Sequence, residues 1–153
     1  MEINTILVPT DFSSCADEAL ERAIQLAKLT RAEIHVLHAY ELPMNVLMDV
    51  PVALPHEFYD RLRDGAKQEV DKRIAKAGTE GVKATGLVVC DSPTRAILDA
   101  AVKAHADLIV MGTHGRTGMK HVLLGSVAER VVRLASCPVM TVKPSADRVD
   151  IRD

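Results

Sequence analysis

The sequence predicts one α/β domain: a parallel sheet of five strands with helices on both faces. Three observations carry that expectation. Short β-branched runs alternate with longer stretches at helical spacing, in the order β-α-β-α-β-α-β-α-β. The strand runs are almost continuously apolar, as strands covered on both faces should be. The chain of 153 residues is 48% hydrophobic and 26% charged, ordinary values for a domain that buries its own core.

Taken in order, residues 3–8 read as a buried strand that ends at Pro9, with Ser13 or Ser14 as the cap of the helix that follows. Ala16, Ala19, Leu20, Ala23, Ile24 and Ala27 mark the inner face of that helix. Residues 33–39 (EIHVLHA) form the second strand. Residues 40–56 form an irregular, unusually apolar link containing Pro43, Pro51 and Pro55. A link of that length either folds onto the domain surface or serves as a lid or partner surface. A helix over 57–78 follows, with Phe58, Leu62, Ala66, Val70 and Ile74 on one face and the charged run 60–73 as its solvated face. Residues 82–89 read as the third strand. Ser92 and Pro93 read as cap and first residue of a helix that turns Ala96, Ile97, Ala100, Ala101 and Ala104 inward. Residues 107–111 (DLIVM) form the fourth strand, 126–134 a helix and 138–142 the last strand. The domain is expected to span 1–143, followed by a polar tail over 144–153.

Composition removes several function classes. The net charge of −2 supplies no broad basic field for nucleic acid or an anionic membrane. The aromatic residues are Phe12, Phe58, Tyr40 and Tyr59, too few for a base-stacking platform. Cys15, Cys90 and Cys137 match no metal spacing and read as thiols of a reducing compartment. No apolar run approaches the ~20 residues of a membrane span, and the first residues do not form a signal peptide. A cytoplasmic protein is expected.

In parallel sheets, ligands sit beyond the carboxyl ends of the strands. The informative stretch lies there, from Met111 to Ser126. Gly112 and Gly115 are expected to let the backbone approach a ligand. Gly125 and Ser126 stand at a helix start, where unpaired N–H groups and the helix dipole favour an anion. Arg116 and Lys120 add positive charge, and His114 and His121 add more when protonated. The stretch is neither a Walker A loop nor a dinucleotide fingerprint.

Gly112-x2-Gly115-x9-Gly125-Ser126 resembles the nucleotide-binding signature of the universal stress protein family, in its ATP-binding branch. The opening Ile6-Leu7-Val8-Pro9-Thr10-Asp11-Phe12-Ser13, the run Gly125-Ser126-Val127-Ala128-Glu129-Arg130-Val131 and Cys137-Pro138-Val139 are similar to the family as well. The resemblance covers roughly residues 3 to 143. It implies strand order 3-2-1-4-5 in a Rossmann-like fold of the adenine nucleotide alpha hydrolase type. It places Asp11, with Pro9 and Thr10 before it, near a ribose, and the backbone of Ala39 against adenine. Gly112, Gly115, Arg116, Gly125 and Ser126 should surround phosphates, with Met111, Val127 and Ala128 beside them. The implied ligand is ATP, or AMP or ADP, and family members often bind a divalent metal such as Mg²⁺ with it.

Plainer readings compete at single positions. Ser126-Val127-Ala128-Glu129 is also a capping box, with Ser126 as the cap. Asp11 could be only a turn residue. His35 and His38 should face opposite sides of their strand and share no metal. No nucleophile–base pair or paired carboxylates stand out, so binding with at most slow hydrolysis is expected. The rivals are a slow ATPase or nucleotidyl-transferring enzyme of the same fold, and a nucleotide-free protein that docks a partner through the 40–56 link. The last strand, apolar and begun by Pro138, should be a sheet edge that pairs two copies into a homodimer.

Overall fold

The computed structural model describes residues 2–42, 55–115 and 124–144. Most of the 40–56 link, together with Arg116, Lys120, His121 and the tail beyond residue 144, lies outside the described residues. The elements run β1 (Thr5–Pro9), α1 (Ser14–Thr30), β2 (Glu33–Tyr40), α2 (His56–Thr79), β3 (Ala84–Cys90), α3 (Pro93–Lys103), β4 (Leu108–Gly112), α4 (Ser126–Leu134) and β5 (Val139–Val142). All strand pairs are parallel, in the order β3-β2-β1-β4-β5. Each element expected from the sequence is present. The largest boundary shifts, of two residues, are at the starts of β1 and β3; Val82 lies in the turn after α2, where its N–H donates to the Ala77 carbonyl at 3.0 Å.

Strand alternation divides the core into two layers. Ile6, Val8, Ile34, Val36 and Val110 pack under α1 and α2, whereas Leu7, Leu37, Ile109 and Met111 pack under α3 and α4. Alanines make up much of the inner face of α1 and α3. Small side chains let these helices lie close to the sheet, which brings their N-termini against the strand ends. Gly86 does the same for β3: a Cβ there would stand 2.4 Å from Val70 and 2.6 Å from Ile74 of α2.

Two details of α2 depart from expectation. Phe58 and Leu62 are 39% and 40% exposed, so the inward stripe begins only in the second half of the helix. A helix of 24 residues is about 36 Å long and outruns the strands it covers. The second departure is Arg73, which closes the charged run but is buried rather than solvated. It pairs with Asp17 of α1 at 2.7 Å and with Glu69 at 3.1 Å.

Candidate functional site

β1 and β4 lie side by side at the centre of the sheet, and the chain leaves them toward opposite neighbours. That divergence opens a cavity of about 270 Å³ at their carboxyl ends. One wall comes from Pro9 at the end of β1 and Thr10 and Asp11 after it, with Ala16 of α1 beside them. The floor is Leu37 and Ala39 of β2, and Pro93 and Ile97 at the start of α3 close the apolar side. The facing wall runs from Met111 through Gly115 and returns through Gly125, Ser126, Val127 and Ala128.

The turn after β1 is held by a chain of local hydrogen bonds. The Thr10 N–H donates to the Leu37 carbonyl at 2.8 Å, so the ladder continues one residue past the strand. Thr10 Oγ1 accepts the Phe12 N–H at 3.0 Å. Asp11 Oδ1 accepts the Ser13 N–H at 3.0 Å and the Ser13 hydroxyl at 2.5 Å. Ser13 Oγ in turn accepts the Ala16 N–H and caps α1, which decides between Ser13 and Ser14. Phe12 sits in the left-handed region at φ 67°, a conformation that costs a residue with a Cβ about 1–2 kcal/mol. Asp11 therefore has the turn role that competed with its functional one, and it also faces the cavity.

The ends of the glycine-rich stretch are joined to each other. The Gly125 N–H donates to the Thr113 carbonyl at 2.7 Å, and the Thr113 N–H donates to the Val142 carbonyl at 2.9 Å. Thr113 is buried, and its hydroxyl lies 2.9 Å from His114 Nδ1 on the cavity wall. Gly125 is the N-cap of α4, and among the described residues no side chain caps that end. Ser126 is thus the first helical residue, and its reading as the cap of a capping box is corrected. The first helical bond runs from the Glu129 N–H to the Gly125 carbonyl. The N–H groups of Ser126, Val127 and Ala128 have no intrahelical acceptor, and all three residues line the cavity. Glu129, whose charge would oppose an anion there, is exposed to solvent.

The glycines turn out to make room mainly for the chain itself. A Cβ on Gly112 would lie 2.7 Å from Cys15 Sγ, one on Gly115 2.8 Å from Asp11 Oδ2, and one on Gly125 3.2 Å from the Thr113 carbonyl oxygen. None of the three has positive φ. Their smallness packs β4 on α1 and the loop on the Asp11 turn.

A family model described as the universal stress protein family matches residues 2–143. The chain belongs to the universal stress protein family. Among its relatives in that family, universal stress protein MJ0531 of Methanocaldococcus jannaschii is 40% identical over 139 residues, covering 90% of this chain and 81% of the relative. The solved structure of MJ0577, a universal stress protein of the same organism, superposes with a TM-score of 0.83 at 29% identity, over 95% of this chain and 99% of that one. A universal stress protein solved in complex with cAMP superposes with a TM-score of 0.69 at 25% identity, over 94% and 98% of the two chains.

Of the residues singled out in this universal stress protein from sequence, Pro9, Thr10, Asp11, Ala39, Met111, Gly112, Gly115, Gly125, Ser126, Val127 and Ala128 all line the one cavity. Arg116 lies outside the described residues. Sequence reasoning missed Ala16, Leu37, Pro93, Ile97 and Thr113. Pro93 and Thr113 could have been found, since each follows a strand end by a few residues. Ala16, Leu37 and Ile97 could not, since an apolar residue that lines a cavity reads like one that lines the core. His35 and His38 do face opposite sides: His35 lies 3.1 Å from Glu33, and His38 lies 2.8 Å from the Thr10 carbonyl oxygen.

Proposed function

We propose that this universal stress protein binds an adenine nucleotide in the cavity, ATP or else ADP or AMP, as a binding and regulatory module of the stress response in the cytoplasm. The observation that carries the reading is the pairing of two unlike ends in one cavity. Leu37, Ala39 and Ile97 offer an apolar slot of the kind a base fills. At the other end stands the N-terminus of α4, which no side chain caps among the described residues; its first three amides and the positive end of its dipole suit phosphates there. Asp11 stands between the two and is the only acid among the described lining residues. It is the residue assigned to the ribose, or to a Mg²⁺ held mainly by phosphate oxygens. The family member solved with cAMP supports an adenine ligand. The three cysteines are unpaired, which fits a reducing compartment.

Mass spectrometry of nucleotide released from freshly purified protein, followed by calorimetric titration with ATP, tests the reading. Ser126→Asp is the decisive variant. A carboxylate at the first helical position suits the helix dipole, so folding is kept, yet it repels a phosphate. ATP affinity should fall roughly tenfold or more, the scale of a lost charged hydrogen bond with repulsion added. A wild type that takes up no nucleotide, or a variant that binds ATP equally well, overturns the reading.

The position of β5 favours a second proposal, a homodimer. β5 is a sheet edge of four residues, and Met140 on it is 38% exposed. Antiparallel pairing of two such edges about a two-fold axis satisfies their free backbone groups. Sedimentation at roughly tens of micromolar should find a dimer of standard interface size. A Met140→Lys, Thr141→Pro double variant should sediment as a monomer, and a dimer that survives those changes uses another surface.

A further inference from the structure

The turn that carries Asp11 is gripped from behind. Because Phe12 is left-handed, its side chain leaves the cavity wall and packs into the layer formed by α1 and α2. There the ring meets two partners. The His38 imidazole stacks on it with centroids 4.1 Å apart and planes 22° from parallel. The Arg73 guanidinium lies 4.7 Å from its centroid. Each partner is itself anchored. His38 Nδ1 lies 2.8 Å from the Thr10 carbonyl oxygen, at the start of the same turn. Arg73 donates through Nε to Asp17 at 2.9 Å, and through Nη1 to the Glu69 carbonyl at 3.0 Å. The path from α2 to the cavity wall is thus continuous: Arg73, Phe12, Asp11.

We infer that the Arg73–Phe12–His38 stack positions Asp11, so that Arg73, which does not line the cavity, sets the affinity of the site for nucleotide. This rests on the nucleotide reading given above. A strained conformation persists only where its surroundings over-determine it, and no glycine or asparagine at position 12 makes this one easy. If the stack loosens, Phe12 relaxes to negative φ, and the carboxylate one residue earlier swings with it. Arg73 is a positioning residue: it acts through Asp11.

The test separates positioning from general damage. Arg73→Met keeps the length of the side chain and removes its charge and plane. Phe12→Gly adopts the left-handed turn without strain but has no ring, and so serves even if Arg73→Met folds poorly. Both should weaken ATP binding by roughly tenfold, the scale of one coupled interaction in a network. Asp11→Asn combined with Arg73→Met should bind within about twofold of Asp11→Asn alone, because the two changes remove the same contact. ATP affinity equal to wild type in both single variants overturns the inference, as do losses that multiply in the double variant. A readout without ligand keeps this result apart from the nucleotide reading. The Ser13 amide, which donates to Asp11, should exchange its proton faster in Arg73→Met relative to the Leu20 amide in the middle of α1. If wild type binds no nucleotide, the nucleotide reading falls and Ser13 exchange alone decides: a faster rate upholds the stack, and an unchanged one overturns it.

Discussion

The two ends of the sheet handle polar groups in opposite ways. At the amino end of the strands, charged side chains pair with one another or with backbone amides. The Asp107 carboxylate accepts the N–H groups of Asn4 and Thr5 at 2.8 and 3.0 Å, Lys83 pairs with Glu33 at 2.6 Å, and Lys28 pairs with Glu80. At the carboxyl end, the first turn of α4 lines a cavity, and among the described residues no side chain caps its amides. The amino end also holds a hollow, of about 640 Å³, larger than the cavity at the other end. Lys28, Glu33 and Lys83 line it already paired, which leaves Arg31 as its remaining charged residue among the described lining. Volume is therefore a poor guide to a site, and unsatisfied chemistry is a better one. The amino end should govern stability and the carboxyl end binding.

The change expected to strain this division most is Gly112→Ala. Gly112 belongs to the carboxyl end, yet its Cβ would press on Cys15 Sγ at 2.7 Å and on the Cys15 backbone at 3.2 Å. Overpacking of that kind costs about 1–3 kcal/mol, to be read from urea unfolding. Adding Cys15→Ala should recover part of the loss; no recovery would mean that the backbone contact dominates. A smaller effect sharpens the amino end. The N–H groups of Asn4 and Thr5 hold the Asp107 carboxyl below its usual range. A carboxylate of lowered folded pKa gives stability that is complete above its unfolded value, about 4, and is lost as pH falls through the folded value. Asp107→Asn should therefore flatten the decline of the urea midpoint between about pH 5 and pH 2 without changing ATP affinity. An equally steep decline in the variant would place the acid sensitivity elsewhere. Least is expected of Lys28→Met. Its pair with Glu80 is half exposed and screened by solvent, so the urea midpoint should hardly move, and nucleotide binding not at all. A change in ATP affinity there would break the division outright.

The order of elements was legible because apolar period and turn residues agree along most of the chain, from Pro9 and Ser13 to Ser92-Pro93. The cavity was legible at its polar side, where glycines cluster at a strand end. What stayed hidden depends on contacts distant in sequence. Arg73 reads as one more charge in a charged run, and only the approach of Asp17 and Phe12 makes it a buried one. Phe12 carries no residue-type signal for a left-handed backbone. Phe58 and Leu62 keep helical spacing past the point where the sheet beneath α2 ends. Gly112 and Gly115 were visible as glycines, but the neighbours that demand their smallness, Cys15 and Asp11, lie about a hundred residues earlier.

The amides at the start of α4 have a further implication, for inheritance. A site built from side chains can be erased by one codon change. Amides at a helix start survive nearly any replacement of Ser126, Val127 or Ala128 except by proline, so long as the helix forms. Lineages can then rewrite the apolar slot around Ala39 and shift ligand preference while the end proposed to hold an anion persists. Comparing such proteins by the identity of their lining residues would understate how much of the site they still share.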